Sequence, residues 1–168
     1  MRNNGLVIFG MIALMACFFH GCASAPEHEG VRAVAVWDLE NLSPGSSTSP
    51  DLGQVLSGEI IQAIKQSGDI QVVEREKLVA VMEELKLGSS DLADDSARLR
   101  VGRMIGAREM VFGGYMVVGN AMRLDLRRVD VETGKVVRTA KRSTDALDLG
   151  KWVFSAREAA EELYGTGK

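Results

Sequence analysis

The sequence predicts an α/β fold: a mixed sheet of about five strands in the order β-α-β-α-α-β-β-β-α, with helices packed on it. Three observations carry this. The run Ala33-Val34-Ala35-Val36-Trp37 is unbroken and apolar, which suits a strand covered on both faces. It is followed by segments that alternate between helical and strand-like periodicity. The last third instead holds three consecutive strand-like runs joined by tight-turn residues, the pattern of an antiparallel meander. With 168 residues, 46% hydrophobic and 26% charged, the chain fits one ordinary folded domain and excludes a coiled coil, a collagen-like chain or a disordered tail.

Taken in order, Val31 to Leu39 is the first strand, and Asn41 to Ser49 is a loop by composition. Pro50 then opens a helix at the position Pro favours, with Ser49 as N-cap and Gly68 as the stop. Leu52, Val55, Leu56, Ile60, Ala63 and Ile64 recur along it at spacings of three and four, an apolar stripe for the sheet. Ile70 to Val73 is a short second strand, parallel to the first because a strand-helix-strand unit crosses over. A helix from about Arg75 to Leu87 ends at Gly88, with Leu78, Val81, Met82 and Leu85 facing inward. Another runs from about Asp95 to Ile105 and ends at Gly106. Glu109 to Val118, Met122 to Val131 and Val136 to Ser143 form the meander, with Gly119-Asn120 as a two-residue turn and Thr133-Gly134 supplying the next. In its middle strand Met122, Leu124 and Leu126 alternate in one phase and Val129 and Val131 in the other; a β-bulge at Arg127 and Arg128 would restore one buried face. The last helix, about Asp148 to Tyr164, carries Leu149, Trp152, Val153, Ala156, Ala160 and Leu163 on one side.

Before all this comes an address. Met1 and Arg2 precede an uncharged stretch from Gly5 to Phe19, too short for a membrane span and built like a secretory signal. The junction Phe19-His20-Gly21-Cys22 resembles the lipobox of bacterial lipoproteins, whose Cys is diacylated on sulfur and becomes the first mature residue. Gly21 and Cys22 match that pattern; Phe19 and His20 depart from it. The alternative is an unmodified Cys22 with cleavage at a nearby small residue such as Ala23 or Ala25. The division expected is residues 1–21 as signal peptide, 22–30 as lipidated tether and 31–168 as one folded domain. By the same resemblance Ala23, in place of the Asp that retains enterobacterial lipoproteins at the inner membrane, implies the periplasmic face of the outer membrane. The eight residues from Ala23 to Gly30 reach about 26 to 29 Å at most, so the domain would sit close to its membrane.

The body of the chain carries a second resemblance. Ala33 to Asn41, AVAVWDLEN, resembles the strand opening of the curli secretion protein family CsgG. Arg100 to Tyr115, RVGRMIGAREMVFGGY, is similar to that family's Gly-Ala helix exit into a Gly-bearing strand, and Leu124 to Val137, LDLRRVDVETGKVV, to its following hairpin. The amino-terminal domain of TolB-like proteins, flagellar lipoproteins of the FlgO kind and the LpoB activators of cell-wall synthases share the fold. In CsgG two further hairpins per subunit build a membrane barrel. Here the first is replaced by the turn at Gly119-Asn120, and about four residues lie between Ser143 and Asp148 where the second would begin. A membrane strand needs roughly 9 to 11 residues, so no pore is expected.

Chemistry is scarce. Both His and both Cys lie within the first 28 residues, which removes most metal and nucleophile chemistry from the body. No phosphate-loop, dinucleotide or nucleophile-elbow motif occurs. Asp91, Asp94 and Asp95 read as helix capping rather than a cation site. Arg98, Arg100, Arg103, Arg108, Arg127, Arg128, Arg138, Lys141 and Arg142 make a basic-looking second half. Nucleic acid is disfavoured by export, by scarce aromatics and by 23 carboxylates against 20 cations. The expectation is a non-enzymatic protein without cofactor or metal. Its partners would be envelope proteins, copies of itself in a homo-oligomer, and the membrane through Cys22. A partner or ligand loop would comprise Glu40, Asn41, Ser43, Ser46, Ser47 and Thr48, between a strand's carboxyl end and a helix start. The resemblance implies an accessory or scaffold role in envelope assembly or secretion. The alternatives are a regulator of a cell-wall synthase, as in LpoB, or a flagellar lipoprotein, as in FlgO.

Overall fold

A computed structural model describes residues 32–44, 50–88, 94–145 and 148–165; Cys22, the signal and tether, Ser46 to Ser49 and Asp91 lie outside them. The elements are β1 (Arg32–Val36), β2 (Glu40–Asn41), α1 (Pro50–Gln66), β3 (Ile70–Val72), α2 (Arg75–Glu84), α3 (Asp95–Met104), β4 (Glu109–Val118), β5 (Ala121–Asp130), β6 (Val136–Thr144) and α4 (Leu149–Tyr164). They form one mixed, unclosed sheet in the order β3-β1-β4-β5-β6, with β2 added beside β4. β1 is parallel to both β3 and β4, and β4, β5 and β6 are successively antiparallel. The expected α/β class and element order are therefore those observed, with β2 as one extra short strand.

Two apolar cores lie on opposite faces of the sheet. On one, α1 and α4 bring Leu56, Ile60, Ile64, Ala156 and Leu163 against Val34, Val111, Met122, Leu124 and Leu126. On the other, α2 and α3 bring Leu78, Val101 and Ile105 against Ala35, Met110, Phe112, Val129 and Val131. This explains the phase change inside β5 and corrects the bulge expected at Arg127 and Arg128. β5 stays in register with β4 along its whole length, from Glu109 opposite Asp130 to Val118 opposite Ala121. Its first half buries one face under α4 and its second half buries the other under α3. The irregularity lies instead on the β6 side, where Arg128 faces Arg138 but Val129 faces Val136, leaving Val137 as the extra residue.

Other boundaries moved for local reasons. β1 ends at Val36 rather than Leu39, although Trp37 N–H still donates to the Val111 carbonyl. α2 stops at Glu84, three residues early, because Lys86 takes a left-handed φ of 51° and does the work expected of Gly88. Val55 and Leu149, placed inward by their spacing, are exposed. The turn at Gly119 is as expected, with φ of 59°, a left-handed value that a two-residue hairpin turn requires.

Candidate functional site

Beyond the reach of α3, the face of the meander away from α4 is uncovered, and a cleft of about 280 Å³ opens on it. Its floor is Phe112 and the Gly113-Gly114 backbone, and its walls are Glu40, Leu42 and Arg98 on one side and Arg127 and Lys141 on the other. Sequence alternation dictates these neighbours: β5 places Arg123, Asp125 and Arg127 on this face, opposite Ser143, Lys141 and Thr139 of β6.

Arg98 organises one wall. Carried on α3, its largely buried side chain pairs with Glu40 and lies 3.8 Å from Asp95. Its guanidinium carbon stands 5.8 Å from the ring centres of both Trp37 and Phe112, whose rings lie 6.3 Å apart. Arg127 approaches the same Phe112 ring at 5.4 Å and is held by Asp95 at 2.7 Å. Phe112 is thus flanked by two guanidinium groups, each neutralised by a carboxylate. Further along, Arg123 donates to Asp125 at 2.6 Å, and that bond raises the arginine pKa further. Lys141 lies 3.9 Å from Asp125. The Asp94 carboxylate is held below its usual range by the Ser96 hydroxyl and amide, which makes it the N-cap of α3 as expected.

Of the sequence-predicted loop, Glu40, Asn41 and Ser43 are described. They are not free loop but are zipped onto β4. Glu40 and Asn41 pair with Gly114 and Tyr115, and Leu42 N–H donates to the Tyr115 carbonyl. The Asn41 side chain accepts from Ser43 N–H at 2.9 Å, and the Ser43 hydroxyl accepts from Val117 N–H at 2.9 Å. Glu40 faces the cleft; Asn41 and Ser43 fasten the segment. Arg98, Phe112, Arg127 and Lys141 were missed as a unit because nothing local marks them. The residue gap between Glu40 and Arg98 is 58.

Above the cleft the end of the sheet is apolar. Leu42, Val118 and Phe154 are exposed by 51%, 57% and 60%, and Val55, Met116 and Leu149 are exposed beside them. Leu42, Met116 and Val118 lie on the segment after β2 and on β4 toward the β4–β5 turn, and Val55, Leu149 and Phe154 lie in the first turns of α1 and α4 on the other face of the sheet. Charges paired with one another surround a tilted pair of aromatic rings, and exposed aliphatic side chains stand farther along β4. No cluster of three or more metal-ligating side chains occurs among the described residues.

A family model described as "Curli production assembly/transport component CsgG" matches residues 21–120. Solved structures with this fold include the LpoB C-terminal domain from Salmonella enterica, at TM-score 0.58 and 20% identity, covering 72% of this chain and 87% of that one. Lipoprotein GNA1162 from Neisseria meningitidis superposes with TM-score 0.53 at 15% identity, covering 68% and 80%. The PelC dodecamer from Paraburkholderia phytofirmans gives 0.51 at 14%, covering 82% and 90%. At these identities the likeness is one of fold. No curated protein sequence matches the chain.

Proposed function

The chain belongs to the CsgG family, and from that premise we propose that it is a non-catalytic lipoprotein of the bacterial envelope. It would be anchored through Cys22 at the periplasmic face of the outer membrane and serve as an accessory or scaffold subunit in envelope assembly or secretion. The observation that carries the reading is the placement of two features, the Arg98–Phe112–Arg127 cleft with exposed Leu42 in its wall, and the exposed apolar residues Val118 of β4 and Phe154 of α4. Both are turned away from Arg32, where the tether enters. An anchored protein would present this end to partners in the periplasm. The paired charges and tilted rings of the cleft suit recognition.

The test is photocrosslinking in intact cells from Val118 and Phe154, with products identified by mass spectrometry. A defined envelope or secretion protein is the expected product. No product from either position, with a product from the Arg32 end, would reverse the assignment. The LpoB-like fold supports a second reading, regulation of a cell-wall synthase, which the same experiment separates by returning a peptidoglycan synthase. The fold is also that of a dodecamer in PelC, and a homo-oligomer is the corresponding expectation here, read from the native mass of the purified lipoprotein.

A further inference from the structure

We propose that the end of the domain at Arg32 is a docking surface for an anionic phospholipid membrane, distinct from the protein-binding end above. The inference rests on the anchored reading of Cys22. Arg32 begins β1, and the α3–β4 connection, the β5–β6 turn and the end of α4 lie around it: Arg108 N–H donates to the Ala33 carbonyl, Val131 N–H to the Arg108 carbonyl, and Arg103 to the Val131 carbonyl. This rim carries the exposed side chains Arg32, Arg103, Arg108 and Lys135. Among the described residues none of the four is within salt-bridge distance of a carboxylate. Met104, next to Arg103 in the chain, and Val136 and Val137, next to Lys135, are exposed apolar residues. The acidic side chains of the rim are Asp69, Asp130, Glu132 and, in the last turn of α4, Glu161; the Asp130 carboxylate is occupied by the Thr133 amide and hydroxyl at 2.7 Å and also feels the Arg108 charge.

Reach decides the occupant. From Cys22 to Arg32 the chain spans about 33 to 36 Å when fully extended, whereas a compact domain of this size is roughly 35 Å across and the path around it is longer still. A lipid at Cys22 therefore holds the Arg32 end toward the bilayer and cannot let the Phe154 end turn onto it. Cations with interspersed aliphatic side chains are what an anionic headgroup surface takes.

The experiment is hydrogen exchange on the purified lipoprotein in vesicles of phosphatidylethanolamine with phosphatidylglycerol, compared with phosphatidylcholine vesicles. Exchange at residues 100–108 and 132–138 is expected to slow severalfold only on the anionic vesicles, and high salt is expected to erase the difference. Equal exchange on both lipids, or slowing around Leu42, Val118 and Phe154 instead, would overturn the proposal. The mass of the amino-terminal peptide scores the anchor separately. If Cys22 carries no lipid, the anchor reading fails alone, and flotation of the released protein with the same two vesicle types decides the surface. In that assay the R103Q/R108Q/K135Q variant is expected to bind anionic vesicles about two orders of magnitude more weakly, roughly fivefold per cation. The lipid comparison with the unaltered protein needs no variant to fold.

Discussion

Ser57 interrupts the apolar stripe of α1, yet it is buried. Its hydroxyl accepts from Leu39 N–H at 2.9 Å and donates to the Gly53 carbonyl at 2.8 Å, one turn back. Leu39 lies where the chain leaves β1, so this one oxygen satisfies a backbone donor that no strand reaches. Gly53 serves the same joint by being small: a Cβ there would stand 2.4 Å from the Leu39 carbonyl oxygen. Ser57→Ala leaves the amide orphaned and is expected to cost about 1 to 3 kcal/mol. Gly53→Ala must push α1 off the Leu39 backbone between β1 and β2 and is expected to cost about 1 to 3 kcal/mol as overpacking. Urea unfolding midpoints check both; a Ser57→Ala protein as stable as its parent would remove the hydroxyl from this role. Neither residue stands out in the sequence, because a Ser and a Gly on an amphipathic helix read as indifferent until the partner backbone is in place.

β5 shows at the scale of the element what periodicity can and cannot tell. Its existence, its turn and its two alternation phases are legible from Met122 to Val131, and so is the meander around it. What alternation cannot separate is a bulged strand with one buried face from a straight strand that changes faces, since both read as a slip of phase. The answer depends on where α3 ends over the sheet, a tertiary fact. The cleft is hidden for the same reason: Arg98 and Arg127 read as members of a basic run until Phe112 is seen between them.

The straight path of β5 also puts Arg128 beneath α4, with its guanidinium carbon 4.8 Å from the Tyr164 ring centre and its Nε 3.8 Å from the buried Glu109 carboxylate. Burial, aided by the negative charge of Glu109, pushes the Tyr164 hydroxyl pKa far up. Below about pH 10, the ordinary tyrosine value, folded and unfolded chains both keep this proton and stability does not depend on it. Above that pH the unfolded chain releases the proton while the folded one retains it, so stability falls as pH rises. Tyr164→Phe is expected to lose less stability than the parent between pH 9 and pH 11. Equal losses, measured by urea unfolding at the two pH values, would assign the alkaline sensitivity elsewhere.

At the scale of the molecule, the two ends differ in kind, and the strands that run between them bear on whether the sheet itself crosses a membrane. β4 and β5 have 10 residues each, and β6 has 9. Length alone would therefore allow them to span, since a membrane strand needs roughly 9 to 11 residues. Packing does not. Val111, Met122, Leu124 and Leu126 are committed to the core under α1 and α4, and the opposite face of β5 carries Arg123, Asp125 and Arg127. Turning that face to lipid would cost about 2 to 4 kcal/mol for an arginine near the midplane, and turning the other would strip the core of its helices. A barrel would have to come from added hairpins, and the β4–β5 connection is only the turn at Gly119 and Asn120. Even a ring of many copies would have no spanning strands to contribute from this joint. Purified lipoprotein in planar bilayers is therefore expected to give no unitary conductance at any protein concentration at which it is anchored. Stable single-channel steps that vanish when Gly119-Asn120 is crosslinked to Thr144 would show that the meander opens after all.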